Sequence, residues 1–297
     1  METDIVLCSD LDRTLIPNGN QEESPLARPL LRRLAERPEI ALVYVTGRDR
    51  QLIAEAIIEF GLPLPRYAIG DVGTSIYQVD GSPGDPRFSE WEEWQAEIGR
   101  DWHGWRHDDL AGLFADIEPL RLQEPLKQNA FKVSYYVDLA ADWKLLVETI
   151  RRCLDEKGIR ASIVTSVDEQ EGVGLLDILP EGATKVDAIR FLTRRQGITE
   201  AKVVFAGDSG NDLPALTSGL QAILVKNAAD EVRRDAMAGV AEKGIEDRLY
   251  MARGGFLEMN GNYSAGVLEG LAHFVPHAEV WMREARDALG NSIDGVR

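Results

Sequence analysis

Four short strings in this chain carry side chains whose types and spacing suit chemistry on a phosphorus centre. Asp10-Leu11-Asp12-Arg13-Thr14-Leu15 follows the apolar run at residues 5–8, so two carboxylates stand two residues apart where a buried strand would end. Ligands of open α/β sheets bind at the carboxyl ends of strands. If the chain turns there, one carboxylate can attack phosphorus while the other handles a proton. Taken alone, a D-x-D pair reads more simply as turn residues at a strand exit. Thr46-Gly47-Arg48 ends a second apolar run and opens a helix, offering a hydroxyl and backbone N–H groups suited to a phosphate oxygen; alone it is an ordinary helix cap. Lys185, after Gly182-Ala183-Thr184, opens another helix, where its ammonium can neutralise phosphate and nucleophile, although most lysines are surface charges. Gly207-Asp208-Ser209-Gly210-Asn211-Asp212 is the most specific string, with small residues for a tight turn and carboxylates suited to a hard octahedral Mg²⁺ ion. A calcium EF-hand loop starting at Asp208 fails, because its twelfth position is Gly219 and not Glu.

The elements that must position these residues follow from hydrophobic periodicity. Residues 5–8 and 40–45 read as buried parallel strands. Leu30, Leu31 and Leu34 mark a helix over 29–37, and Leu52, Ile53, Ile57 and Ile58 a helix over 49–60. A third strand at 67–69 leads through a turn at 70–74 into a hairpin through 75–77. The turn-rich stretch 81–86 (Gly-Ser-Pro-Gly-Asp-Pro) reads as a domain boundary. Residues 91–114 read as helical, with Trp91, Trp94, Trp102 and Trp105 as core. Strands at 131–137 and 161–165, with a helix over 141–157 between them, predict a small sheet with helices on one side. After Asp177-Ile178-Leu179-Pro180 the doubly wound pattern resumes: a helix over 185–196, a strand at 202–206, a helix near Leu213 and a strand at 222–225. Residues 230–246 read as short helices, His273 as a packed helix residue, and the tail beyond Pro276 as one amphipathic helix. The expected fold is α/β: a doubly wound parallel-sheet (Rossmann-like) core of residues 1–82 and 181–297, with an inserted smaller α/β cap domain at 83–180.

Composition narrows the function. The chain has 297 residues, 44% of them hydrophobic, enough for two moderate domains. With 33 basic and 50 acidic residues the formal charge is −17, a field that repels nucleic acid and anionic lipid. An anionic substrate therefore needs a local cluster of Lys, Arg or metal to reverse the potential. The two cysteines, Cys8 and Cys153, have neither disulfide-framework nor metal-knuckle spacing and are expected as free thiols. No apolar run approaches the roughly 20 residues that span a bilayer, and no basic, apolar leader is present, so a cytoplasmic protein without membrane contact is expected.

The order of the strings, D-x-D, Thr-Gly-Arg, Lys, then G-D-S-G-N-D, resembles the haloacid dehalogenase superfamily of phosphohydrolases. The resemblance implies that Asp10 is the nucleophile that forms an aspartyl phosphate and that Asp12 is the general acid and base. It likewise implies that Thr46, with Gly47 and Arg48, binds phosphate, and that Lys185 completes the catalytic set. Magnesium would be held by Asp10, the backbone carbonyl of Asp12 and Asp208, steadied by Asp212 and its neighbour Asn211. The inserted segment looks like the α/β cap of the class IIB members. Pro125-Leu126-Lys127-Gln128-Asn129-Ala130-Phe131-Lys132-Val133-Ser134-Tyr135, Asp177-Ile178-Leu179-Pro180 and the run 264–274 look like segments of the sucrose-phosphate phosphatase family. That implies a sugar phosphate substrate, sucrose 6-phosphate first, with Asn129 and Lys132 of the cap contacting the sugar. Related sugar phosphatases (mannosylfructose phosphate, glucosylglycerol phosphate, mannosyl-3-phosphoglycerate) and a phosphomannomutase share the same motifs. A receiver module shares the Asp, Thr and Lys but needs neither cap nor Asp12, and an idle regulatory protein would have lost a catalytic group. A monomer is expected, with a sugar-phosphate synthase as candidate partner. Three features depart from the family pattern: Arg13 stands where many members carry a small or amide residue, Val186 follows Lys185 in place of glycine, and the tail past Phe274 is long.

Overall fold

The computed structural model describes residues 3–168 and 171–294. Its first elements are β1 (Ile5–Ser9), α1 (Ala27–Ala35), β2 (Ile40–Val45), α2 (Arg50–Glu59), β3 (Tyr67–Gly70), β4 (Ser75–Ser82) and β5 (Asp85–Glu90). There follow α3 (Glu92–Ile98), α4 (His107–Leu113), β6 (Arg121–Leu122), β7 (Val133–Val137), α5 (Trp143–Glu156), β8 (Ala161–Asp168) and β9 (Val173–Pro180). The chain then forms α6 (Lys185–Arg195), β10 (Val203–Gly207), α7 (Leu213–Leu216), β11 (Gln221–Leu224), α8 (Asp230–Lys243), β12 (Leu249–Met251), α9 (Ser264–Phe274) and α10 (Pro276–Asp294).

Eight strands make the larger sheet in the order β12-β11-β10-β1-β2-β3-β4-β5, parallel from β12 to β3 and antiparallel beyond. β1, β2 and β10 are buried along their whole length because helices cover both faces, which is why they read as unbroken apolar runs. Ile5 and Leu7 point into one core with residues of α1, α9 and α10, while Val6 and Cys8 point into a second with α6, α7 and Trp94. β1 lies between β2 and β10, with Ser9 level with Tyr44 on one side and Ala206 on the other. The loops that begin at Asp10, Thr46 and Asp208 therefore leave the sheet side by side.

The smaller sheet is antiparallel, in the order β6-β7-β9-β8. Val133, Tyr135 and Val137 alternate onto one face with Leu176 and Ile178 and pack against Trp102, Leu110, Phe114 and the α5 residues Leu146, Ile150 and Leu154. Ser134 and Asp177, paired across β7 and β9, belong to the opposite face.

Several expectations shift. The turn-rich stretch 81–86 is the reversal of a β4–β5 hairpin, and β5 belongs to the larger sheet, so that sheet runs on to Glu90 rather than stopping at residue 82. The stretch 91–114 breaks into α3, a 3-10 turn and α4, because His103 (φ 49°) and Gly104 (φ 89°) leave the helical region. Residues 230–243 form one helix, α8, which Gly244 ends in the left-handed conformation.

Candidate active site

The site is built around Lys185, the first residue of α6. Thr184 caps that helix, its hydroxyl accepting a hydrogen bond from the Asp187 N–H at 3.2 Å. The loop after β3 supports the same helix start from behind. Gly73 (φ 111°) lies so close that a Cβ would come within 2.7 Å of the Ala183 carbonyl oxygen, a combination only glycine allows. The buried Lys185 ammonium donates to Asp10 Oδ1 at 2.8 Å, Asp212 Oδ1 at 2.7 Å and Asn211 Oδ1 at 3.0 Å. Burial opposes its charge, but the two carboxylates outweigh burial and hold the ammonium well above the ordinary lysine range, so it stays cationic.

Asp212 is fully buried, and its second oxygen accepts from the Asp208 and Ser209 N–H groups and the Ser209 hydroxyl, each at 3.1 Å. Asp208 Oδ1 accepts from the Thr14 hydroxyl at 3.1 Å, and Arg13 Nε lies 3.5 Å from Asp208 Oδ2. Burial, joined by the charge of Asp212, pushes Asp208 up to about 7 against the pull of Thr14 and Arg13. Asp10 is likewise raised by burial, with Lys185 pulling it down.

Asp12 stands two residues after Asp10, where the chain turns through Arg13 at φ 57°. Arg48 grips both its oxygens, Nη2 to Oδ1 at 2.7 Å and Nε to Oδ2 at 2.8 Å, and Asn18 Nδ2 donates to Oδ1 at 2.8 Å. Burial raises the Asp12 carboxyl, yet these bonds outweigh it and hold the group below the usual carboxylate range. Thr46 is buried at the end of β2 and its hydroxyl accepts from the Arg48 N–H at 3.2 Å, while Gly47 is exposed beside it.

The fold thus brings Asp10, Asp12, Arg48, Lys185, Asp208, Asn211 and Asp212 to one end of the sheet, with Thr46 and Gly47 on the adjoining strand end. Asn129 and Lys132 reach the larger unit directly. Asn129 Nδ2 donates to Thr74 Oγ1 at 2.8 Å, and Lys132 Nζ lies 2.9 Å from Asp71 Oδ1, both partners buried. Asp71 lies in the loop after β3, its N–H donating to the Arg48 carbonyl at 2.9 Å. Reading the sequence did not single out Thr14, Asn18, Asp71, Thr74 or Ser209. Thr14 sits inside the D-x-D string and Ser209 inside the second acidic string, so proximity was a usable signal for those two; the others lie in turns without one.

The three buried carboxylates of Asp10, Asp208 and Asp212 offer oxygens within 4.8 Å of one another. Lys185 is the buried cation bonded to two of them, and Arg13 approaches the third from a more exposed position. Asp212 is committed to Lys185 and to backbone donors, whereas Lys185 takes only Oδ1 of Asp10. An all-oxygen donor set with excess negative charge fits a hard divalent cation, with Asp10 and Asp208 as the carboxylates best able to hold one.

Among the described residues no helix is long and apolar enough to cross a membrane. Fold and side-chain constellation together define a haloacid dehalogenase-type phosphatase, a phosphoric monoester hydrolase with a doubly wound core and an inserted cap. The family model for sucrose-6F-phosphate phosphohydrolase matches residues 3–275, and the chain belongs to that family. A solved structure of the sucrose-phosphatase from Synechocystis sp. PCC6803, in complex with sucrose and phosphate, aligns with a TM-score of 0.70 at 26% identity, covering 92% of this chain and 98% of that one. A HAD-like hydrolase of Nitrosococcus oceani is 55% identical over 287 residues, 97% of this chain and 76% of that protein. Sucrose-phosphatase 2 of Nicotiana tabacum is 29% identical over 235 residues, 77% of this chain, but the match spans only 51% of the tobacco protein.

Proposed function

We propose that this protein is a Mg²⁺-dependent phosphatase that hydrolyses sucrose 6-phosphate to sucrose and phosphate in the cytoplasm. The observation that carries the reading is the buried Lys185 ammonium bridging Asp10 and Asp212 beside Asp208, a cation set among three carboxylates whose remaining negative charge suits a divalent ion. Support for the sugar comes from the family match and from the likeness to a phosphatase whose structure holds sucrose and phosphate.

On this reading the steps divide among the residues of the site. Thr46 and Gly47, with Lys185, hold the phosphate oxygens, and Asp10 attacks phosphorus through a carboxylate oxygen. A bond forms between Asp10 and phosphorus, and the ester P–O bond breaks with its electron pair passing to the sugar oxygen. That oxygen takes the proton of Asp12. A phosphate dianion beside Asp12 raises its proton affinity by like-charge repulsion, so the substrate itself favours loading of the acid. In the second step Asp12, now a carboxylate, takes a proton from water as the water oxygen bonds phosphorus. The bond between Asp10 and phosphorus breaks, its pair returns to Asp10, and inorganic phosphate leaves. When bound at Asp10, Asp208 and the Asp12 main-chain carbonyl, Mg²⁺ supplies charge that offsets the repulsion between carboxylate and phosphate.

The test is phosphate release, with Mg²⁺, from sucrose 6-phosphate, mannosylfructose phosphate, glucosylglycerol phosphate and simple hexose phosphates. Preference for sucrose 6-phosphate in kcat/KM, abolished in Asp10→Asn, is expected. Preference for another phosphate moves the substrate, and no turnover of any overturns the reading.

A further inference from the structure

The Arg48 guanidinium, an expected phosphate ligand, spends its donors inside the protein. Nε and Nη2 go to the two oxygens of Asp12 at 2.8 and 2.7 Å, and Nη1 goes to the Leu52 carbonyl in α2 at 3.3 Å. The arginine is itself fixed at both ends. Its N–H donates to Thr46 Oγ1 and its carbonyl accepts from the Asp71 N–H, so the fork is presented by two loops at the sheet end. Asn18 completes the arrangement from the Asp12 side. Its amide nitrogen donates to Asp12 Oδ1 at 2.8 Å, and its amide oxygen accepts the Arg13 N–H at 2.8 Å, closing the loop that carries Asp12.

We propose that Arg48 and Asn18 are positioning residues that aim Asp12, and that Oδ2 of Asp12 is the oxygen that passes the proton. The inference rests on the reading of Asp12 as the acid and base of the phosphatase. A lone, partly exposed aspartate explores several rotamers, and proton transfer requires its oxygen within about 2.6–3.2 Å of the leaving oxygen. A planar two-point fork removes that freedom, which a single lysine contact would not. The count of donors picks the oxygen. Oδ1 accepts two hydrogen bonds, from Arg48 and Asn18, and Oδ2 accepts one, so Oδ2 keeps the lone pair that a proton needs.

The consequence is a dependence on the leaving group. A sugar alkoxide leaves poorly unless protonated, whereas p-nitrophenolate leaves without help, so loss of aim penalises the sugar phosphate selectively. Since general acid catalysis contributes about 10²–10⁴-fold, Arg48→Ala is expected to lower the ratio of kcat on sucrose 6-phosphate to kcat on p-nitrophenyl phosphate by at least about tenfold. Arg48→Lys, which keeps the charge and loses the fork, falls with it, and Asn18→Ala lowers the same ratio by roughly threefold. Adding Arg48→Ala to Asp12→Asn then costs little more, because the arginine acts through a group already disabled. Asn18 lies in an exposed loop, so its variant keeps the test open if Arg48→Ala fails to fold. An unchanged ratio with KM raised equally for both substrates, or additive losses in the Arg48 and Asp12 pair, would overturn the clamp and return Arg48 to the phosphate. Failure of the wild-type protein to hydrolyse any sugar phosphate, or full activity in Asp10→Asn, would instead strike the phosphatase reading itself.

Discussion

Lys185 joins Asp10 of the first string to Asp212 of the last through hydrogen bonds of 2.8 and 2.7 Å, and all three side chains are buried. A buried ion network of this kind adds little stability over an apolar core of equal volume, but removing one partner strands the others and costs about 3–5 kcal/mol. Lys185→Met is therefore expected to destabilise the metal-free protein by about that amount at pH 8, where both carboxylates must ionise without a counter-charge. The loss should shrink at pH 5. Burial already raises Asp10, and without Lys185, the group that pulls it down, protonation relieves the strain. Urea unfolding in EDTA at the two pH values measures this, and an equal loss at both would show that packing, not charge, is what Lys185 contributes. Arg13 belongs at this scale as well. It departs from the family pattern by type, yet it turns the chain between Asp12 and Thr14 and lies 3.5 Å from Asp208, which places the departure beside the expected metal ligands.

Elements place these residues, and one close joint between them is the contact of the β3–β4 loop with the start of α6. A Cβ on Gly73 would meet Ala183 O and Thr184 C at 2.7 Å and Lys185 N at 2.8 Å, all backbone atoms that no rotamer change can clear. Gly73→Ala is expected to cost at least about 2 kcal/mol and to reduce turnover by displacing Lys185. Gly84→Ala in the β4–β5 turn, where an added Cβ meets nothing within 4 Å, should change neither; equal thermal midpoints for the two variants would sink the idea. The same contrast explains what the sequence reveals about the fold. β1, β2 and β10 are legible as continuous apolar runs because both faces are covered, and D-x-D, Thr-Gly-Arg and G-D-S-G-N-D are legible because each begins where such a run stops. The outer half of the β4–β5 hairpin is exposed and rich in Pro and Gly, so it carries no periodic signal and looks like a linker. β6 and β12 are two- and three-residue edge strands set by pairing alone. Asn18 and Asp71 escape a sequence reading for a different reason. Asp71 acquires its role only when the cap residue Lys132 arrives beside it, and Asn18 only when its loop folds back to Asp12.

At the scale of the whole molecule, two units meet at a site where three buried carboxylates share one buried lysine. The buried pair of Lys132 with Asp71 and the bond from Asn129 to Thr74 tie cap to core, while Arg37 lies 4.1 Å over the Trp281 ring and helps seat α10 on α1. Against a net charge of −17, concentrating three carboxylates in one buried pocket is costly unless a cation joins them. Asp208 stands at about 7 in the fold against an ordinary 3.8, and Asp10 is raised in the same direction. Between those pH values the folded state binds more protons than the unfolded one, so stability of the metal-free protein falls as pH rises from about 4 to about 7. A divalent cation needs the same oxygens deprotonated, so its binding releases protons and strengthens over that window. Thermal unfolding in EDTA should therefore show Tm dropping from pH 5 to pH 7.5, and millimolar Mg²⁺ should raise Tm at pH 7.5 by more than at pH 5, since ligand binding to the folded state stabilises it by mass action. A Tm that is indifferent to Mg²⁺ at both pH values would mean that the three carboxylates are balanced by protons and Lys185 alone. A Tm that responds equally at both would locate the ion away from Asp10 and Asp208, because a site containing those raised carboxyls couples metal to protons across this range.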